Sequence, residues 1–335
     1  MRILVTGAAG FIGFCTSRAL LDYGHEVTGL DNLNEYYDVR LKHARLEQLS
    51  PRNAFRFVLA DLVDRKATAE LFSKLRPDRV VHLAAQPGVR HAIEHPHDYI
   101  DSNISGFLNV LEGCRRNDVK HLIFASTSAV YGSNTQMPFS VHHKADHPLS
   151  LYGATKRANE LMAHTYAHLF KLPVTGLRLF TVYGPWGRPD MSPFLFIRKI
   201  LKEEPIDLFN YGNHSRDFTY IDDTVEAIVR ILDKIPQPNP HWNSDEPDPA
   251  TSAAPYRIHN IGNSEPVSLL RFIECIEMAV GKKASKNTLP LQPGDVRDTF
   301  ADVDDLMAAI DFKPATRIED GVHEFVSWYR QYYGI

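Results

Sequence analysis

An apolar run, RILVT at residues 2–6, leads straight into GAAGFIG, and a segment of helical length then separates it from a second apolar run, EVTGLD at 26–31. Strand, glycine turn, helix, strand is a βαβ unit, whose right-handed crossover commits the chain to a parallel sheet. Gly7, Gly10 and Gly13 surround Phe11 and Ile12 at the start of the helix. Bare backbone there can approach a pyrophosphate, and the helix N-terminus offers N–H groups and a positive dipole end. Asp31, followed by Asn32, closes the second run where a carboxylate accepts hydrogen bonds from an adenosine ribose. The expected cofactor is NAD, since a phosphate on that ribose would meet like charge and no arginine immediately follows Asp31.

The rhythm continues. FRFVLAD, RVVHLAA, HLIFAST and, at 174–180, VTGLRLF read as further buried strands, with helical spacing over 11–23, 38–49, 64–75 and 97–117. This predicts an α/β fold, a Rossmann-like doubly wound parallel sheet with a smaller C-terminal substrate-binding lobe. Asp61 and Leu62, and Leu83, Ala84 and Ala85, fall at the carboxyl ends of the third and fourth strands, where open α/β sheets bind ligands. After Phe180 the texture changes to loops rich in glycine, proline and aromatic residues. Residues 1–180, with a returning segment near 217–235, are therefore expected to bind the nucleotide, and 181–335 mainly the substrate. Six prolines within 235–256 mark an exposed insertion.

A formal net charge of −4 and 23% charged residues give no sign of a nucleic-acid or membrane partner. Three scattered cysteines and an opening that reads as the first strand rather than a leader point to the cytoplasm. Among 16 histidines the loop VHHKADH at 141–147 has no familiar ligand spacing, so no metal is expected.

Hydroxyls cluster at the end of the fifth strand in STSAVYG, residues 126–132, and YGATK follows 20 residues later. On a helix Tyr152 and Lys156, at i and i+4, share one face. Using a tyrosine as a base at neutral pH means lowering a pKa near 10 by roughly 3 units, about 4 kcal/mol, which calls for nearby positive charge.

TGAAGFIG, the hydroxyl cluster and YGATK together resemble the extended short-chain dehydrogenase/reductase family. With TVYGPWGRPDM, RDFTYIDD and PGDVRDTFAD the resemblance spans nearly the whole chain and is greatest to its UDP-glucuronate 4-epimerases. It implies an NAD-dependent isomerase working through a 4-keto sugar. In that pattern Thr127 binds the sugar O4, Tyr152 is the base, and Lys156 lowers the tyrosine pKa and holds the nicotinamide ribose. Asn103 and Phe180 join the cofactor site. Arg216, Arg188 and Arg90 are candidates for the diphosphate, and Thr127, Ser128 and Thr181 for the carboxylate of a UDP-sugar. A homodimer through a four-helix bundle of 97–117 and 152–170 is also implied. Two departures stand out: Ala129 where serine is frequent, and Arg297 where proline is usual. UDP-glucose 4-epimerase is the runner-up; dehydratases and decarboxylases need an acid beside the threonine, where this chain has Ser128 and Ala129. A non-catalytic NAD-binding protein is disfavoured by the intact Thr127, Tyr152 and Lys156.

Overall fold

Seven parallel strands form the central sheet in a computed structural model that describes every residue except Pro293 and Asp295. The first half runs β1 (Arg2–Thr6), α1 (Phe11–Asp22), β2 (Glu26–Asp31), α2 (Val39–Leu49), β3 (Phe55–Leu59), α3 (Arg65–Leu75) and β4 (Arg79–His82). It continues through α4 (His91–Glu94), α5 (Pro96–Tyr99), a π-helical turn (Ile100–Ser105), α6 (Gly106–Arg116), β5 (His121–Thr127), α7 (Leu151–Phe170) and β6 (Val174–Leu179). The second half comprises β7 (Thr181–Tyr183), α8 (Ser192–Leu201), β8 (Ile206–Leu208), β9 (Ser215–Tyr220), α9 (Ile221–Leu232) and β10 (Tyr256–Ile261). It ends with β11 (Pro266–Ser268), α10 (Leu269–Val280), β12 (Lys286–Thr288), α11 (Asp304–Ile310) and α12 (Ile318–Tyr333).

The sheet order is β10-β6-β5-β4-β1-β2-β3. Helices cover both faces, so the strands are apolar on both sides: in β1, Ile3 and Val5 enter one core cluster and Leu4 the other. The fold class read from the sequence is the one observed. Its seventh strand, β10, comes from the stretch assigned mainly to the substrate lobe, beyond the insertion. Helix α9 packs against α1, with Arg18 3.9 Å from Asp222 and the Tyr23 hydroxyl donating to Glu226.

Above the carboxyl edge lie two small sheets, β11-β9-β7 and β12-β8. Within 235–256 the exposed part runs over 237–247, apart from the half-buried Asn239 and Trp242, whereas Pro236 is buried and Ala250, Thr251, Ser252, Ala254 and Pro255 are buried as the chain descends into β10. His142, in the loop before α7, bridges two carboxylates: each ring nitrogen is 2.9 Å from an oxygen, Nδ1 from Asp248 and Nε2 from Asp305. Among the described residues no helix is long and apolar enough to cross a membrane.

Candidate active site

A cleft of about 720 Å³ opens between the carboxyl edge of the large sheet and the small sheets. Its nucleotide end is built on the first βα turn. Gly7 has φ +73°, and a Cβ there would sit 2.7 Å from the Ala84 nitrogen, so only glycine lets β1 and β4 close together beneath the turn. The α1 N-terminus carries no side-chain cap, which leaves its first-turn N–H groups facing the cleft wall at Phe11, Ile12 and Gly13. Asp31 is buried, accepting from Ala9 N at 3.0 Å and Leu33 N at 2.9 Å. Asn32 donates to Asp61 at 2.9 Å, which fixes the adjacent strand ends. The glycine cradle, open helix end and buried carboxylate fit a dinucleotide.

The chemical end rests on β5 and α7. Ser150 caps α7 by accepting from Gly153 N at 3.1 Å. Gly153 has no Cβ, which would lie 2.7 Å from the Ala129 carbonyl, so α7 can lie tightly on the turn after β5. Tyr152 is thereby brought to Thr127. Burial pushes the Tyr152 hydroxyl above its ordinary pKa, while the charge of Arg188 and a hydrogen bond with Thr127 pull it back. Lys156, buried, donates to the Ala125 carbonyl at 2.9 Å, and burial lowers its ammonium to about 8. Arg188 and Thr127 thus act to lower the tyrosine, while the Lys156 ammonium is held by the strand backbone.

The three strand-end hydroxyls divide by orientation. Ser126 points into a buried network, donating to Glu160 at 2.6 Å, and Glu160 in turn accepts two hydrogen bonds of 2.9 Å from Arg178. Thr127 and Ser128 line the cleft with Thr181. Arg188 forms a bidentate pair with Asp190, to which the Tyr36 hydroxyl also donates at 3.1 Å. Arg90 stands 4.9 Å from the Phe209 ring centre across the cleft. Arg216 lines the cleft too, with its guanidinium donating to the Val296 and Arg297 carbonyls.

Gly7, Gly10, Phe11, Ile12, Gly13, Asp31, Asn32, Asp61, Leu62, Leu83, Ala84, Ala85, Tyr152, Lys156 and Phe180 all line this one cleft. So do Arg90, Thr127, Ser128, Thr181, Arg188 and Arg216. Asn103 alone does not reach that lining. It is buried behind the wall, where Oδ1 accepts from Gln86 N at 2.8 Å and Nδ2 donates to Gln86 O and Thr155 Oγ1 at 3.1 Å each. That bracing uses its side chain within the protein.

Tyr36, Asp190 and Lys42 also line the cleft and were not singled out from sequence. Asp190 was within reach of the reading, two residues after Arg188; the loop bearing Tyr36 carries no spacing that would reveal it, and the helical spacing of α2 does not mark Lys42 as facing the cleft.

An NAD-binding turn joined to a Thr–Tyr–Lys site at the carboxyl edge of a parallel sheet defines an NAD-dependent sugar-nucleotide isomerase class. The chain belongs to the NAD dependent epimerase/dehydratase family, whose profile matches residues 3–243. It is 48% identical to the probable UDP-glucuronate 4-epimerase of Rhizobium meliloti over 99% of this chain and 98% of that protein. Among solved structures, UDP-glucuronic acid 4-epimerase from Bacillus cereus, in complex with UDP-glucuronic acid and NAD, matches with a TM-score of 0.87. Its identity is 33%, covering 99% of this chain and 100% of that one. UDP-glucose 4-epimerase from Thermotoga maritima, with UDP-glucose, matches at TM-score 0.84 and 27% identity, covering 99% and 100%.

Proposed function

We propose that the protein interconverts UDP-glucuronate and UDP-galacturonate by inverting the sugar's C4 through a 4-keto sugar. The observation that carries this reading is the gathering of Thr127, Tyr152 and Lys156 in one cleft with the glycine turn and Asp31. NAD is held by Gly7, Gly10, Gly13 and Asp31, with Lys156 at the nicotinamide ribose, and when bound it supplies a hydride acceptor that is regenerated within each cycle. Thr127 orients the C4 oxygen. Tyr152 takes its proton as general base and returns one as general acid after the keto sugar has turned over. Arg90, Arg188 and Arg216 provide positive charge for the diphosphate, whose binding retains the keto sugar during that rotation.

Oxidation at C4 of a glucuronate yields a β-keto acid prone to lose CO2. Hydrogen bonds from Thr127, Ser128 and Thr181 stabilise the carboxylate charge that such a loss would remove. They also hold the C5–C6 bond near the carbonyl plane, where overlap with its π system is poor. The test is an NMR time course with UDP-glucuronate and, separately, UDP-glucose. UDP-galacturonate without pentose products is expected. Substantial UDP-pentose would overturn the assignment, and turnover of UDP-glucose alone would favour the glucose epimerase reading that the Thermotoga structure supports.

We assign 1–180 and the returning segment near 217–235 to the nucleotide, and the rest mainly to the sugar. A homodimer fits Leu108, Leu161, Leu169 and Phe170, large apolar residues exposed on α6 and α7. A cytoplasmic setting fits three free, buried thiols.

A further inference from the structure

His91, His95 and Asp98 meet at the rim of the cleft, which His91 lines. His91 begins α4, and His95 follows at i+4 as the residue that ends it. Pro96 then starts α5 and turns Asp98 back toward His91. One ligand atom from each of the three lies within 4.8 Å of the others, and no other such triple forms among the described residues. His91 Nε2 is 3.6 Å from Asp98 Oδ2, and the two imidazoles stack with centroids 4.2 Å apart.

Two imidazoles and a carboxylate are borderline donors that suit zinc. Bonds of about 2.0–2.1 Å in a tetrahedral shell put ligand atoms roughly 3.3–3.5 Å apart. The His91–Asp98 pair already has nearly this spacing. For the widest pair the remaining difference is at most about 1.5 Å (4.8 less 3.3), which rotation of the exposed His95 and Asp98 side chains can close.

We propose that His91, His95 and Asp98 form a binding site for a divalent transition-metal ion of the zinc type, with water completing the shell. The site takes no part in proton transfer, but it is coupled to the wall that does. His91 packs edge-on against Tyr36, with centroids 4.9 Å apart. From α5, the Tyr99 hydroxyl donates to the Pro87 carbonyl at 2.7 Å and its ring meets Tyr152 edge-on at 6.3 Å. An ion joining α4 to α5 ties down the corner from which Tyr99 packs on Tyr152.

The experiment uses untagged, chelator-treated protein with its nucleotide retained, titrated with Zn2+ in a calorimeter and with Co2+ in a spectrophotometer. One ion per chain, a dissociation constant on the order of micromolar and tetrahedral Co2+ absorption are expected. His95→Ala and Asp98→Asn should each weaken binding at least about tenfold, whereas His142→Ala, which alters a separate histidine cluster, should not. Melting curves without metal establish that both variants are folded. Absence of a one-to-one site, or wild-type affinity in both His95→Ala and Asp98→Asn, overturns the proposal.

Discussion

Tyr152 and Lys156 are one helical turn apart, yet burial acts on them with opposite sign: it raises the pKa of the phenol and lowers that of the ammonium. Tyr152→Phe removes the proton acceptor and one hydroxyl from a packed site. Its epimerase rate should fall by about 10² or more while nucleotide content and melting temperature stay near wild type, as measured by turnover and by assay of NAD released on denaturation. Lys156 has a different signature. Its folded pKa of about 8 lies below the ordinary 10.5, so between these values the unfolded chain binds more protons and stability gains with rising pH. Lys156→Met should lose that gain, seen as a wild-type urea midpoint that rises relative to the variant's as pH is raised from 8 to 10. These residues were legible because Y-x-x-x-K spacing and strand-end hydroxyls encode one face. Asn103 was not, because sequence places it near the cleft without telling that its amide points away, toward Gln86 and Thr155.

At the scale of elements, the approach of α7 to the turn after β5 sets the Thr127–Tyr152 contact. Gly153→Ala places a methyl 2.7 Å from the Ala129 carbonyl and 3.3 Å from Pro148 Cβ. We expect a loss of about 1–3 kcal/mol in urea unfolding, together with a lower kcat as Tyr152 is displaced. Five of the first six strands were readable because parallel strands covered on both faces are nearly continuous apolar runs, whereas β3, read as buried, is an edge strand that leaves Arg56 and Leu59 exposed. β10, YRIHNI, hides from that test. Its Asn260 is buried but satisfied, donating to the Phe139 and Asp302 carbonyls at 2.7 and 2.9 Å and accepting from the Tyr131 hydroxyl at 2.7 Å. Partners 42 to 129 residues away are what make a polar strand tolerable, and no local pattern reports them. Likewise the helical spacing over 97–117 is real, but the π-helical turn at Ile100–Ser105 leaves no mark on it.

The whole molecule is laced by His142, which joins the loop before α7 to the insertion and to α11 through Asp248 and Asp305. Partial burial opposes its charge, but the hydrogen bonds and charges of Asp248 and Asp305 outweigh this and raise its pKa. A raised folded pKa means the stabilisation is fully present below the unfolded value near 6.5 and is lost as pH climbs through the folded value. The wild type should therefore exceed His142→Ala in urea midpoint at pH 6, with the difference shrinking by pH 8.5. Because His142 is about half exposed, the effect should be small and reduced by salt.

The position of β10 in the chain also sets a timetable for biosynthesis. β6 is buried along its whole length and pairs with β5 on one side and β10 on the other. Until residue 261 has emerged from the ribosome, a nascent chain with helices α1 to α9 already synthesised still presents β6 as an unpaired apolar edge. Synthesis halted in the Pro-rich segment would leave an aggregation-prone product rather than a free-standing nucleotide-binding half.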